Sequence, residues 1–166
     1  MYYSIIIMPP VYGAFSRSII GNQRTVIPVP LNQKNNLYSL DFNQLESQIT
    51  AKTKLLIVCH PHNPIGKIWT VNELIHLGDI YLKYNLLIIS DKIPQDLIFN
   101  HRSQYRPFAN IHPDYAEYSM ICTSPSKSFN LLCPNKKYLA IDLTDFLSLM
   151  RMNLTTRFVF FILSQQ

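Results

Sequence analysis

Short, unbroken apolar runs constrain this chain most: "YSIIIM" at 3–8, "KLLIVCH" at 54–60, "NLLIIS" at 85–90 and "SMICTS" at 119–124. None alternates cleanly between apolar and polar residues, so none suits a sheet with one wet face. Such runs suit strands buried on both faces, as in a parallel sheet covered by helices. Parallel strands need long crossovers, and the intervening segments carry helical signals. "VYGAFSRSIIGN" at 11–22 predicts a helix stopped near Gly21 and Asn22. Asp41 and Gln44 make a capping-box pattern ahead of a helix that places Phe42, Leu45 and Ile49 on one face. Thr70 and Glu73 make a second, followed by the stripe Leu74, Leu77, Ile80, Tyr81 and Tyr84. "RTVIPVP" at 24–30 reads as an edge strand because of its prolines, and "LNQKNNLYSL" at 31–40 as a polar turn region. The expected fold is α/β, three-layered, with a mostly parallel sheet flanked by helices and right-handed crossovers.

Composition narrows the function classes. Of the 166 residues, 48% are hydrophobic and 15% charged, which argues against disorder and allows one domain or part of a larger one. The net charge of +5 is scattered, with Lys136-Lys137 the only adjacent basic pair, so an RNA-binding reading rests on charge alone and no nucleic-acid partner is expected. Cys59, Cys122 and Cys133 lack metal-like spacing and read as free thiols of a reducing compartment, so the expected location is cytoplasmic and no metal site is expected. "MYYSIIIMPP" has no basic segment before its short apolar run, and "FVFFIL" at 158–163 is far too short to span a bilayer, so no membrane partner is expected.

In open α/β sheets ligands bind outside the carboxyl ends of the strands. Asn63, Asp91 and Lys127 each follow one of the apolar runs, so the topology carries all three toward one rim. Each has an ordinary role available. "NPIG" is a turn in which Asn and Pro initiate and Gly takes the positive φ. Asp91 can cap the segment after it. Lys127 can be a solvated loop residue, and Tyr12 a core aromatic.

Taken together, "PVYGAF", "PHNPIG", "SDKIPQDLIF" and "SPSKSFN" resemble, in that order, the fold-type I pyridoxal-phosphate (PLP) enzymes of the class I/II aminotransferase superfamily. The wording "PHNPIGKIWTVNEL" and "SDKIPQDLIF" is most similar to the cystathionine β-lyase branch, the C–S lyases of the MalY/PatB type. The separations agree: 28 positions from Asn63 to Asp91 and 36 from Asp91 to Lys127. The resemblance runs from about Ile5 to about Asn130. It implies that Lys127 forms a Schiff base with the PLP aldehyde and then serves as general base. It implies that Asp91 pairs with the pyridine nitrogen and keeps the ring an electron sink. Asn63 would donate to the phenolic oxygen, Tyr12 would stack on the ring, and Ser124 or Ser126 would bind the phosphate. The implied chemistry is β-elimination at a C–S bond of a small amino-acid substrate, or else transamination, in a homodimer.

The sequence departs from the family pattern at several points. Lys92 stands where an acid usually follows the aspartate, Pro94 where a Tyr or His stands, and His60 where Asn is common. After "FN" the chain reads "LLCPNKKYLAID" in place of a glycine-containing segment. Family chains are more than twice as long. The resemblance therefore implies a chain truncated at both ends. Residues 1–136 would be a partial PLP-binding large domain, without the upstream phosphate cup or the carboxylate-binding arginine. Residues 137–166 would be a divergent tail with no recognised domain, its end "LTTRFVFFILSQQ" either a new terminal strand or the out-of-frame end of a decayed gene. A catalytically inactive remnant or interaction module is the alternative reading.

Overall fold

The computed structural model describes residues 3–92, 98, 105–123 and 159–161. The apolar runs are the strands. β1 (Ser4–Ile7), β5 (Thr53–Cys59), β6 (Leu87–Asp91) and β7 (Ser119–Thr123) form the middle of a six-stranded sheet. β2 (Thr25–Pro28) lies at one edge and β8 (Val159–Phe161) at the other, giving the order β2-β1-β5-β6-β7-β8 with every pair parallel. A separate antiparallel hairpin joins β3 (Asn32–Lys34) to β4 (Leu37–Ser39).

Successive strand residues point to opposite faces, so each run feeds two cores. Ile6, Leu56, Val58 and Ile88 pack on one face with Leu45 of α2 (Phe42–Ser47) and Leu74, Leu77 and Tyr81 of α3 (Val71–Lys83). Ile5, Ile7, Leu55, Ile57 and Ile89 pack on the other with Phe15 and Ile19 of α1 (Ala14–Gly21). The sheet is therefore the middle of three layers, as expected, and β2 is an edge strand as its prolines require.

Both capping positions act. The Asp41 side chain accepts from the Gln44 amide at 3.0 Å. Thr70 and Glu73 form the full reciprocal box, with the Glu73 amide donating to Thr70 Oγ1 at 3.2 Å and the Thr70 amide to Glu73 Oε2 at 2.8 Å.

Some elements differ from expectation. The polar segment 31–40 holds a hairpin, because Asn35 and Asn36 both take the left-handed conformation that a two-residue turn between strands requires. The α3 stripe ends at Tyr81, since the helix stops at Lys83 and Tyr84 is an exposed cap residue. A 3-10 turn (Phe108–Asn110) and a short helix α4 (Pro113–Glu117) precede β7, with Phe108 and Tyr115 stacked against each other over α3.

Candidate functional site at the carboxyl edge of the sheet

The chain leaves β1 toward β2 on one side and returns to β5 on the other, from which it proceeds to β6 and β7. The strand order therefore reverses between β1 and β5, and the crevice beyond their carboxyl ends is where ligands of open α/β sheets bind. Three of the sequence-derived candidates stand on this rim. Tyr12 follows the β1 exit loop "MPPV" and immediately precedes α1. Asn63 follows the β5 exit, and Asp91 is the last residue of β6. Lys127, Ser124 and Ser126, like Pro94, lie outside the described residues.

Asp91 is only 6% exposed. Its Cα is in register with Cys59 on one neighbouring strand and Cys122 on the other, so the carboxylate shares the α1 face with two buried thiols. Burial pushes the Cys59 thiol up to about 12, and the Asp91 charge adds to this, while the Asn63 amide works against it. Cys122 is raised by the same two causes in the same order. Both sulfurs are free and stay protonated. Cys59 Sγ donates to the Pro61 carbonyl at 3.2 Å and accepts from the Asn63 amide at 3.4 Å, which fixes the backbone at Asn63.

Tyr12 is 40% exposed and meets Phe15 edge-on at 5.7 Å, so it is not the core aromatic it could have been. It lies at the head of the helix that covers the Asp91 face, with β5 between their strands, so the strand axes stand about 9.5 Å apart. Asn63 is exposed at the rim. The turn after it closes as the sequence predicts, with Gly66 at φ 67° and the Gly66 amide donating to the His62 carbonyl at 2.8 Å. The peptides before Pro10, Pro61 and Pro64 are cis.

Two histidines missed as site residues organise this edge. His60 and His62 are both fully buried. His62 Nε2 lies 3.1 Å from the Met8 carbonyl and 3.0 Å from that of Pro10, bridging the exits of β5 and β1. His60 Nε2 donates to the Arg106 carbonyl at 3.1 Å while its Nδ1 accepts from the Trp69 amide at 3.3 Å. The Tyr105 hydroxyl donates to the His60 carbonyl at 3.2 Å. Burial above all lowers both rings' pKa, His60 to about 4, against the opposing pull of their carbonyl partners. Both rings are neutral. Among the described residues no group of three or more His, Cys, Asp and Glu side chains is placed to hold a metal ion, and no helix is long and apolar enough to cross a membrane.

Residues 3–133 match the family described as aminotransferase class I and II. The chain belongs to that family. Within it, the chain is 36% identical over 129 residues to cystathionine beta-lyase PatB of Bacillus subtilis, covering 76% of this chain and 33% of the relative. It is also 36% identical over 129 residues to protein MalY of Escherichia coli, covering 76% and 32%. The solved structure of cystalysin from Treponema denticola, which contains a pyridoxal 5'-phosphate cofactor, superposes with a TM-score of 0.75 at 36% identity, covering 78% of this chain and 33% of that one. The chain thus spans about a third of the length of the relatives it matches. These likenesses agree with the family resemblance carried by the quoted motifs, including its C–S lyase branch.

Proposed function

We propose that this chain is a PLP-dependent enzyme of the C–S lyase type, cleaving a carbon–sulfur bond of a small sulfur amino acid by β-elimination. The observation that carries this reading is Asp91. A carboxylate is buried at the carboxyl end of β6, beside the β1/β5 switch point and on the face that α1 covers. Its immediate neighbours in register are protonated thiols, raised chiefly by burial, with the Asp91 charge adding to it. Such a group suits a cationic ring N–H, because a nearby carboxylate favours the protonated form of a ring nitrogen.

The residues present fit the cofactor, and each takes a definite part. Asp91 would accept from the pyridine N–H and keep it protonated. Tyr12, partly exposed and beside the same face, would cover the ring. Asn63, held by its amide on Cys59, would donate to the phenolic oxygen. Ser124 and Ser126 would hold the phosphate. Lys127 would hold the aldehyde, and its freed amine would take the substrate's α-proton. The bound cofactor supplies the electron sink that makes that proton removable.

The same reading takes residues 1–136 as part of the cofactor-binding large domain, in keeping with a family match ending at residue 133, and 137–166 as a divergent tail. It takes the protein to be a cytoplasmic homodimer without nucleic-acid or membrane partners.

The test is a PLP titration of the purified chain followed by absorbance. The chain gains the band of the lysine-bound cofactor, Lys127→Ala does not, and Asp91→Asn binds at least tenfold more weakly. A chain that binds no PLP overturns the proposal. A chain that binds PLP without releasing thiol from a thioether amino acid overturns the lyase half.

A further inference from the structure

The β1 exit loop has an unusual need. Pro9 and Pro10 carry no amide hydrogen, so the stretch leading to Tyr12 has few donors with which to fix itself. It is held through its carbonyls instead. The Leu31 amide, beyond the end of β2, donates to the Pro9 carbonyl at 2.7 Å. From the opposite side one imidazole N–H serves the carbonyls of Met8 and Pro10. Both partners can only accept, so His62 Nε2 must carry the proton.

The ring that supplies this donor is itself anchored by β5. The His62 amide donates to the Lys67 carbonyl at 2.7 Å, and its carbonyl accepts from Gly66 at 2.8 Å. The ring meets Trp69 edge-on at 5.6 Å, and the Trp69 indole donates to the Cys59 carbonyl at 2.9 Å. One neighbour along the chain is Asn63. Two residues beyond Pro10 is Tyr12.

We propose that His62 is a positioning residue that sets Tyr12 and Asn63 against each other across the β1/β5 switch point, and so fixes the cleft into which the cofactor ring enters. This rests on the reading of Tyr12 and Asn63 as cofactor contacts, but the clamp itself is a property of the chain alone and can be measured without cofactor.

Two measurements on the same variants separate the two. In the chain without PLP, amide hydrogen exchange in the segment Met8–Gly13 rises several-fold in His62→Leu, while α3 keeps its protection. His62→Gln, whose amide places a donor at similar reach, restores most of the protection. With PLP added, His62→Leu binds about tenfold more weakly, the worth of a hydrogen bond or two. It also gives a smaller circular dichroism signal per bound cofactor, and His62→Gln recovers both. If His62→Leu does not fold, His62→Asn replaces it, since its amide is too short to reach the two carbonyls. Unchanged exchange in Met8–Gly13 overturns the clamp, whatever the cofactor does. Faster exchange with unchanged PLP affinity and dichroism overturns the positioning role. A wild-type chain that shows the exchange pattern but takes up no PLP sinks the cofactor reading, and with it the positioning role.

Discussion

Lowering the pH from 7.5 to 5 should cost this fold about 2 kcal/mol through His60 alone. The ring is fully buried, with Nε2–H given to the Arg106 carbonyl and Nδ1 accepting from the Trp69 amide. A second proton would have to enter at Nδ1, where it would face another N–H across 3.3 Å. Burial is the main cause that holds the pKa near 4, against an ordinary value of 6.5. The Arg106 carbonyl and the Glu73 charge pull the other way, and Lys67 adds slightly to the lowering. The folded value lies below the unfolded one, so between them the unfolded chain binds the extra proton. His60's contribution is therefore intact above pH ~6.5 and is lost as pH falls toward ~4, at about 1.4 kcal/mol per pH unit in the steep part. Urea unfolding at the two pH values, in wild type and His60→Asn, isolates the effect. His62 and the carboxylates contribute to both proteins and cancel in the comparison. The wild type should lose about 2 kcal/mol more than the variant. If the two proteins lose the same stability within about 0.5 kcal/mol, the neutral, satisfied His60 described above is wrong.

Other substitutions probe the packing around the site. Gly78→Ala would place its new carbon inside the Tyr115 ring, which is pinned by its hydroxyl to Asp79 Oδ1 at 2.8 Å and the Ile75 carbonyl at 3.1 Å. Where Gly→Ala within a helix ordinarily stabilises, here thermal unfolding should show a loss of about 2 kcal/mol. Trp69→Phe leaves the Cys59 carbonyl without its indole donor and should cost about 1–3 kcal/mol in urea unfolding. In a Cys133→Ser background, Cys59 and Cys122 should stay silent to a thiol reagent at pH 8 and both titrate once urea unfolds the chain, because burial and the Asp91 charge keep them protonated.

The sheet was legible because its strands are buried on both faces, and such strands announce themselves as unbroken apolar runs. "KLLIVCH" and β5 differ by a single residue at each end. The β3–β4 hairpin escaped because its residues are mostly exposed and show no apolar alternation. Its one signal was the Asn35-Asn36 pair, which tolerates the turn's positive φ. Tyr84 continued the helical stripe by spacing, yet the helix ends one residue before it, and periodicity alone carries no stop signal. Helix α4 was announced only by Pro113 at its first turn behind His112, too short for a periodic pattern to register. At the candidate site, the strand-end positions of Asn63 and Asp91 could be read from the apolar runs they follow, while Tyr12 was pointed to only by the family resemblance. His60 and His62 could not, since their partners are backbone carbonyls 46 and 54 positions away, and a carbonyl leaves no mark in the sequence.

That blind spot has a physical origin. Prolines crowd the strand exits here, at 9, 10, 61 and 64, and each removes a donor where backbone carbonyls still need one. Side chains of the β5 exit and its neighbourhood supply what is missing. His62 serves the β1 exit, His60 serves the segment before α4, Trp69 serves Cys59, and Tyr105 serves His60. The His60 amide in turn donates to the Asp91 carbonyl at 2.7 Å, which ties the β6 exit to the same hub. The loops bearing Tyr12, Asn63 and Asp91 are therefore held to one another by a polar network centred on β5 and closed over by Trp69. In a network of this kind the loss of one donor leaves a buried acceptor unserved and loosens its neighbours. The network itself is made of neutral side-chain donors and backbone carbonyls, and it reaches the end of β6, where Asp91 is the carboxylate proposed to meet a cationic ring.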